Sequence, residues 1–288
     1  MKYFSIPLLA GTVLCCAQAA AQKLEHKERV SKEFTISAGQ AAKNVLAIYN
    51  INGSIKVEGY NGDKVMLEID KKISAKTQAV LDEGKAELKL EIEQRADSII
   101  AYIANPFDSR PNRGRRNWDG PNIQYDFELD FTVKVPYSLN LHVSTVNGGD
   151  INVNDVTGSL GVRNVNGAIK VANAKGTASM HTINGNVEVN FVTVPPGESD
   201  FKTLNGDVKV SYPAALAVDC QFKTFNGDFF TDFPNVERLP VRVVKNAENR
   251  ENKTVYKLST ETFIRIGSGG PTYKFETFNG NIYLKKQS

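Results

Sequence analysis

The chain has little of what most site chemistry requires. Its 288 residues include three cysteines, three histidines and one tryptophan. No apolar run approaches the roughly 20 residues of a membrane-spanning helix; "SIIAYIA", from Ser98 to Ala104, has the length of a strand. Cys15 and Cys16 lie in the first apolar segment, so beyond it only Cys220 is left and no intramolecular disulfide can form. His26, His142 and His181 are scattered, with no second His or Cys at ligand spacing, which argues against a zinc site. There is no Gly-x-Ser-x-Gly elbow and no phosphate loop. Charge of one sign is lacking too: 35 Lys and Arg face 32 Asp and Glu, a net +3 that gives no general attraction for nucleic acid.

What is present begins with "MKYFSIPLLAGTVLCCAQAAAQ". Lys2, an apolar run from Phe4 to Cys16 and a string of alanines predict a secretory signal peptide over residues 1–21, cut after Ala21. Leu14 and Cys15 precede the two cysteines where a lipid-acceptor cysteine would follow a small residue. Loss of Lys2 takes the net charge from +3 to +2, because residues 1–21 hold no other charge. Export to the periplasm or cell surface is the expectation, followed by a single β-repeat domain over 22–288.

The second feature is a repeat. A motif of apolar, any, Thr or Asn, apolar, Asn, Gly occurs seven times: "IYNING" from Ile48, "VSTVNG" from Val143, "VRNVNG" from Val162, "MHTING" from Met180, "FKTLNG" from Phe201, "FKTFNG" from Phe222 and "FETFNG" from Phe275. From Asn147 the asparagines recur after 19, 18, 21 and 21 residues. Each Asn-Gly is followed by an alternating run such as "AIKV" or "DVKV", the pattern of a strand with one buried face. Asn and Gly both tolerate the positive φ of a tight reversal.

Two all-β architectures fit. In a β-solenoid each repeat of about 20 residues is one coil, paired with the same strands of the next. Thr182, Thr203 and Thr224 would then stack, as would Asn184, Asn205 and Asn226, forming side-chain ladders. Arg163, His181, Lys202 and Lys223 would form a mostly basic strip. In a meander of β-hairpins the strands flanking one Asn-Gly pair with each other. The repeated Thr favours the solenoid, since a hairpin turn has no need of it. The flanks are less regular: irregular strands over 34–135 with a short helix at "TQAVLDEG", the dense array over 141–233, and an interrupted closing repeat over 241–288. After Phe233 the chain is strand-like at Val241–Val244 and polar through Lys253.

A leader, irregular strands, "VKVP" before "LNLHVSTVNGGDINV", and serial "NVNGAIKV" and "TINGNVEV" units resemble the bacterial putative-adhesin family of β-strand-repeat envelope proteins, a domain-of-unknown-function family. The resemblance covers most of the chain beyond the leader and is strongest from Val133 to Phe233. It implies a solenoid-like fold and an envelope location, and no reaction.

One segment stands out as a candidate contact. "DSRPNRGRRNWDGPN", from Asp108, gathers Arg110, Arg113, Arg115, Arg116 and Trp118 among residues that prevent regular structure. Arginine forks match carboxylate and phosphate, and an indole stacks on sugars. Asp207 and Asp228 follow Asn-Gly, but Ala168 and Asn186 hold that place in neighbouring copies, so no calcium-binding acidic column is expected. The expected function is an exported, non-enzymatic binding or scaffold protein whose partner is an envelope component, a glycan or another protein. No cofactor is expected. The alternatives are a carbohydrate-active β-helix enzyme and an accessory domain of an envelope signalling system.

Overall fold

Each Asn-Gly stands at a corner where the chain leaves one β-sheet and enters another. The computed structural model describes residues 23–36, 39–111, 122–240, 244–250, 253–259 and 261–287. Strands that flank one Asn-Gly are not partners. Leu160–Arg163 pairs in parallel with Ala178–His181, and Ile169–Ala174 with Val187–Phe191, so equivalent residues of successive repeats lie side by side. Val162, Met180 and Phe201 form one such row.

The first sheet has ten strands in the order Leu24–Thr35, Lys64–Ala75, Asp126–Pro136, Ile55–Tyr60, Ile151–Asn154, Ile169–Ala174, Val187–Phe191, Val208–Tyr212, Ile282–Lys286 and Phe229–Thr231. The second has eleven: Val236–Leu239, Thr262–Ile266, Val218–Asn226, Thr272–Asn279, Ser199–Lys202, Ala178–His181, Leu160–Arg163, Asn140–Ser144, Val45–Tyr49, Ser98–Asn105 and Lys89–Gln94. The fold is therefore all-β with two large sheets. Antiparallel strands close the amino-terminal end, where Lys64–Ala75 pairs with Asp126–Pro136. The helix foreseen at "TQAVLDEG" runs Gln78–Glu87, capped by the Thr77 hydroxyl, and buries Leu81. Among the described residues no helix is long and apolar enough to cross a membrane.

Alternation carries one face of each strand inward. From the first sheet Ile55, Ile151, Ile169, Val187, Val208 and Ile282 are fully buried. From the second, the facing row changes from Val143 and Val162 through Met180 to Phe201, Phe275 and Phe222, so aromatic side chains fill the far end of the core. There Phe201, Phe275 and Phe222 stack at 5.3 and 5.0 Å between ring centres. Such offset stacks add to the burial of large apolar area that drives the sheets together.

The corners need Asn and Gly for reasons other than turn conformation. Among the described residues only Asp155, Asn173 and Asn235 are non-glycine residues at positive φ, so the motif asparagines are not left-handed. Their side chains form a ladder instead. Asn147 donates to Asn52 at 3.3 Å, Asn166 to Asn147 at 2.7 Å, Asn184 to Asn166 at 2.7 Å and Asn205 to Asn184 at 2.8 Å. Glycine is set by close approach: a Cβ on Gly206, whose φ is +152°, would lie 2.2 Å from the carbonyl oxygen of Gly185.

Four features depart from these expectations or add to them. The closing repeat does not follow "FKTFNG" in space; it enters between the copies at Phe201 and Phe222, with Phe275 in register with both. Thr277 and Asn279 accordingly separate Thr203 from Thr224 and Asn205 from Asn226. The threonines do not bond to one another either: Thr203 donates to Gly185 O at 2.8 Å and Thr277 to Gly206 O at 2.9 Å, each reaching the backbone of the coil before. Outside the array, a twelve-residue strand, Leu24–Thr35, precedes the expected first strand. The polar stretch after Val244 is a hairpin, Val244–Arg250 against Lys253–Ser259.

Candidate functional site

On the outer face of the second sheet the register sets two rows side by side. Residues Ser144, Arg163, His181, Lys202, Glu276 and Lys223 form one. The basic strip expected from the repeats is interrupted by Glu276, which takes Lys202 at 3.1 Å and Lys223 at 3.2 Å. Burial pushes the Glu276 carboxyl up, but hydrogen bonds from both lysines outweigh it and hold the group below its ordinary value. His181 contacts Asp200. His142, half-buried beside the Tyr49 ring, is shifted down by burial and by the Arg163 charge.

The second row, two residues earlier on each strand, reads His142, Gly161, Ser179, Asp200, Lys274 and Gln221. Ser179 is small, and the surface sinks beside it. A depression of about 350 Å³ is lined by Ser159, Thr177, Ser179, Glu198, Asp200 and Lys274. It shares Glu198 and Lys274 with a larger one of about 620 Å³, walled by Asp219, Gln221, Glu261, Phe263 and Arg265. The two are one trough, crossing the coils and ending under the antiparallel strands Thr262–Ile266 and Val236–Leu239.

Polar groups in the trough are held by neighbours. Arg265 forks onto Asp219 at 2.8 and 2.9 Å, which raises the guanidinium's already high pKa. Gln221 donates to Glu261 at 2.6 Å, and Thr177 to Ser159 at 3.1 Å. Lys274 stands 3.9 Å from Glu198. Asp219 is thus paired with Arg265 and Glu198 lies near Lys274, while Asp200 meets His181 and Glu261 accepts from Gln221, so the trough offers fixed donors and acceptors. Among the described residues no group of three His, Cys, Asp or Glu is placed to hold a metal ion.

Of the arginine-rich segment, Arg113, Arg115, Arg116 and Trp118 lie outside the described residues. Arg110 is committed to its own fold. Its guanidinium lies 3.7 Å over the Tyr102 ring and binds Asp108 at 2.6 and 2.9 Å, with Glu93 at 3.6 Å. Cys220 is buried, and burial pushes its thiol up, away from reactivity. The trough was not legible in the sequence: Lys274 reaches it only because the closing repeat intercalates, and Glu261 and Arg265 only because residues 262–266 fold back on Val218–Phe222.

Residues 140–262 match the model of a family described as Toastrack DUF4097, in keeping with the resemblance carried by the Asn-Gly motifs. No curated protein matches the chain. Among solved structures, the chain is similar to a putative cell adhesion protein from Clostridium sporogenes, at 12% identity and a TM-score of 0.42, over 90% of this chain and 100% of that one. A putative adhesin from Bacteroides fragilis aligns at 11% identity and a TM-score of 0.34, over 90% and 97% of the two chains. One from Parabacteroides merdae aligns at 9% and 0.29, over 91% and 97%.

Proposed function

We propose that the chain is an exported, non-enzymatic β-solenoid of the cell envelope that binds an extended, neutral, hydroxyl-rich polymer, a glycan strand, along the trough of the second sheet. In this reading residues 1–21 are the leader and 22–288 one domain. The observation that carries it is the continuity of the trough: hydroxyls at Ser159, Thr177 and Ser179 lead to the paired groups of Glu198, Lys274, Asp219 and Arg265 across successive coils. Repetition of one polar surface at the strand spacing suits a ligand that is itself a repeating chain. Pairing of Asp219 with Arg265 supports binding over turnover, since a general acid needs a carboxyl left protonated. Arg113, Arg115, Arg116 and Trp118 remain a second proposed contact, for an anionic group.

The test is a glycan array followed by titration calorimetry with the wild type and two variants, Ser179→Trp and Lys274→Ala. Ser179→Trp fills the shallow part of the trough, and Lys274→Ala removes a donor shared by both parts. Each is expected to weaken binding about tenfold or more, the cost of one or two lost polar contacts. Equal binding by all three proteins puts the ligand elsewhere. Release of reducing ends from envelope polysaccharide by the wild type favours the enzyme.

A further inference from the structure

In the last coil of the stack, residues 222–231, the groups that lower coils use to hold the next one meet no further coil among the described residues. Coil by coil, the glycine N–H donates to the following asparagine's carbonyl, as from Gly185 to Asn205 and from Gly280 to Asn226, both at 2.9 Å. The residue two positions after Gly donates likewise, Val187 to Asp207 O and Ile282 to Asp228 O at 2.9 Å. Acceptors recur in the same way. The carbonyl before Asn takes the next Asn N–H, as Leu204 does from Asn279. The glycine carbonyl takes the next threonine hydroxyl and the Asn Oδ1 takes the next Asn amide, as at Gly206 and Asn205. The side chain after Gly takes the next N–H, as Asn281 does from Asp228.

In the last coil these groups are Gly227 N–H, Phe229 N–H, Phe225 O, Gly227 O, Asn226 Oδ1 and Asp228 Oδ1. Phe229–Thr231 is the edge of the first sheet, and Thr262–Ile266 covers its neighbour in the second only over Val218–Phe222, so none of the six has a following coil among the described residues. Exposure records the same opening: Ile183, Leu204 and Phe278, stacked below, are 43, 43 and 44% exposed, and Phe225 above them is 73%. Phe230 lies over Tyr283 at 5.2 Å with no ring above it among the described residues.

The geometry points to an interaction surface at this end that accepts one parallel strand of another protein carrying Thr, an apolar residue, Asn and Gly in the order this chain uses five times. Strand addition of this kind draws affinity from backbone bonds and selectivity from the alternate side chains. Hydrogen-bond complementarity names the occupant: an Asn amide for Asn226, a Thr hydroxyl for Gly227 O, an N–H for Asp228, and an aromatic or aliphatic side chain on Phe225. A second folded copy does not supply it. The opposite end is capped, with Asn50 donating to Leu129 O at 2.8 Å and Ser54 N–H to Asp130 at 2.8 Å, so its first coil has no free underside.

Titrating the intact protein with an acetylated, amidated peptide of the order FKTLNGDVKVSY tests this, with the same peptide bearing Val for Thr and Leu for Asn as control. Saturable one-to-one binding of the first is expected, with at least about tenfold weaker binding of the control. Asp228→Ala removes only an outward acceptor, leaving its N–H on Asn281, and should weaken the first peptide about tenfold. No saturable binding, equal binding of the control, or full binding by Asp228→Ala overturns the proposal. So does a concentration-dependent dimer, by sedimentation, that the peptide fails to dissociate, which would place a second copy there.

Discussion

Asn279 donates its side-chain amide to Asn205 across 2.7 Å, although 74 residues separate the two in the chain. Asn226, the next Asn of the motif after Asn205 in sequence, stands one coil further on and donates to Asn279 at 2.8 Å. The ladder is thus continuous through seven corners only because the closing repeat is threaded into it.

Ladder position sets the cost of losing an asparagine. Asn205 both donates and accepts, whereas Asn226 makes a single ladder bond. Asn205→Ala should cost about 1–2 kcal/mol, and Asn226→Ala about half of that, at roughly 1 kcal/mol per exposed bond. Urea unfolding of both variants checks the ratio; equal losses would remove the ladder from the stability of the corner.

Tyr212 carries a mismatch that can be relieved. Its ring is fully buried, stacked on Phe191 at 5.0 Å and on Tyr273 at 5.5 Å, and its hydroxyl has no protein partner among the described residues. Burial holds that hydroxyl protonated, far above its ordinary pKa. Tyr212→Phe keeps the stack and removes an unsatisfied polar atom, so stability should rise by about 1 kcal/mol. A lower melting temperature would reveal a partner for the hydroxyl.

Two groups shape the response to acid. His142 has a lowered folded pKa, so its neutral form suits the fold. Its contribution is full above the unfolded value of about 6.5 and is lost as pH falls through that value toward the folded one. Glu276 is lowered as well, so the stability from its two lysines is present above the unfolded value of about 4.3 and is lost as pH falls through the folded value. In a series of chemical denaturations, His142→Gln should flatten the profile between about pH 7 and 5, and Glu276→Gln the limb below about pH 4.5. Profiles parallel to wild type would show that neither group is perturbed by the fold.

The arginine-rich segment divides into two roles. Arg110 is held by Asp108, Glu93 and the Tyr102 ring, so Arg110→Ser should lower the melting temperature. Joint replacement of Arg113, Arg115 and Arg116 by Ser should change stability by no more than about 0.5 kcal/mol and weaken only the proposed anionic contact. The reverse pattern in thermal melts would exchange the roles.

Much of this was legible in the residues. Alternation placed strands such as Asp126–Pro136, and the seven motifs located the corners, because burial of one face and approach of neighbouring backbones leave a local trace. Leu24–Thr35 left little, since its one-sided row of Val30 and Phe34 is diluted by charge. Nor did "FETFNG" differ from "FKTFNG" in any way that orders them in space. Spatial order rests on pairing between segments far apart in the chain, and the trough inherits it through Lys274.

Intercalation of the closing repeat is tested most directly by disulfide trapping. In a Cys220→Ser background lacking residues 1–21, the pair Asn205→Cys with Asn279→Cys places cysteines on neighbouring strands, about 4.8 Å apart. The pair Asn205→Cys with Asn226→Cys spans two strand spacings, about 9.6 Å, beyond the roughly 7 Å between Cα atoms that a disulfide tolerates. Mild oxidation of the folded monomers should consume both thiols of the first pair and leave those of the second free. Rapid cross-linking of Asn205→Cys with Asn226→Cys, with the first pair left reduced, would contradict the stacking order on which the ladder, the trough and the open end all depend.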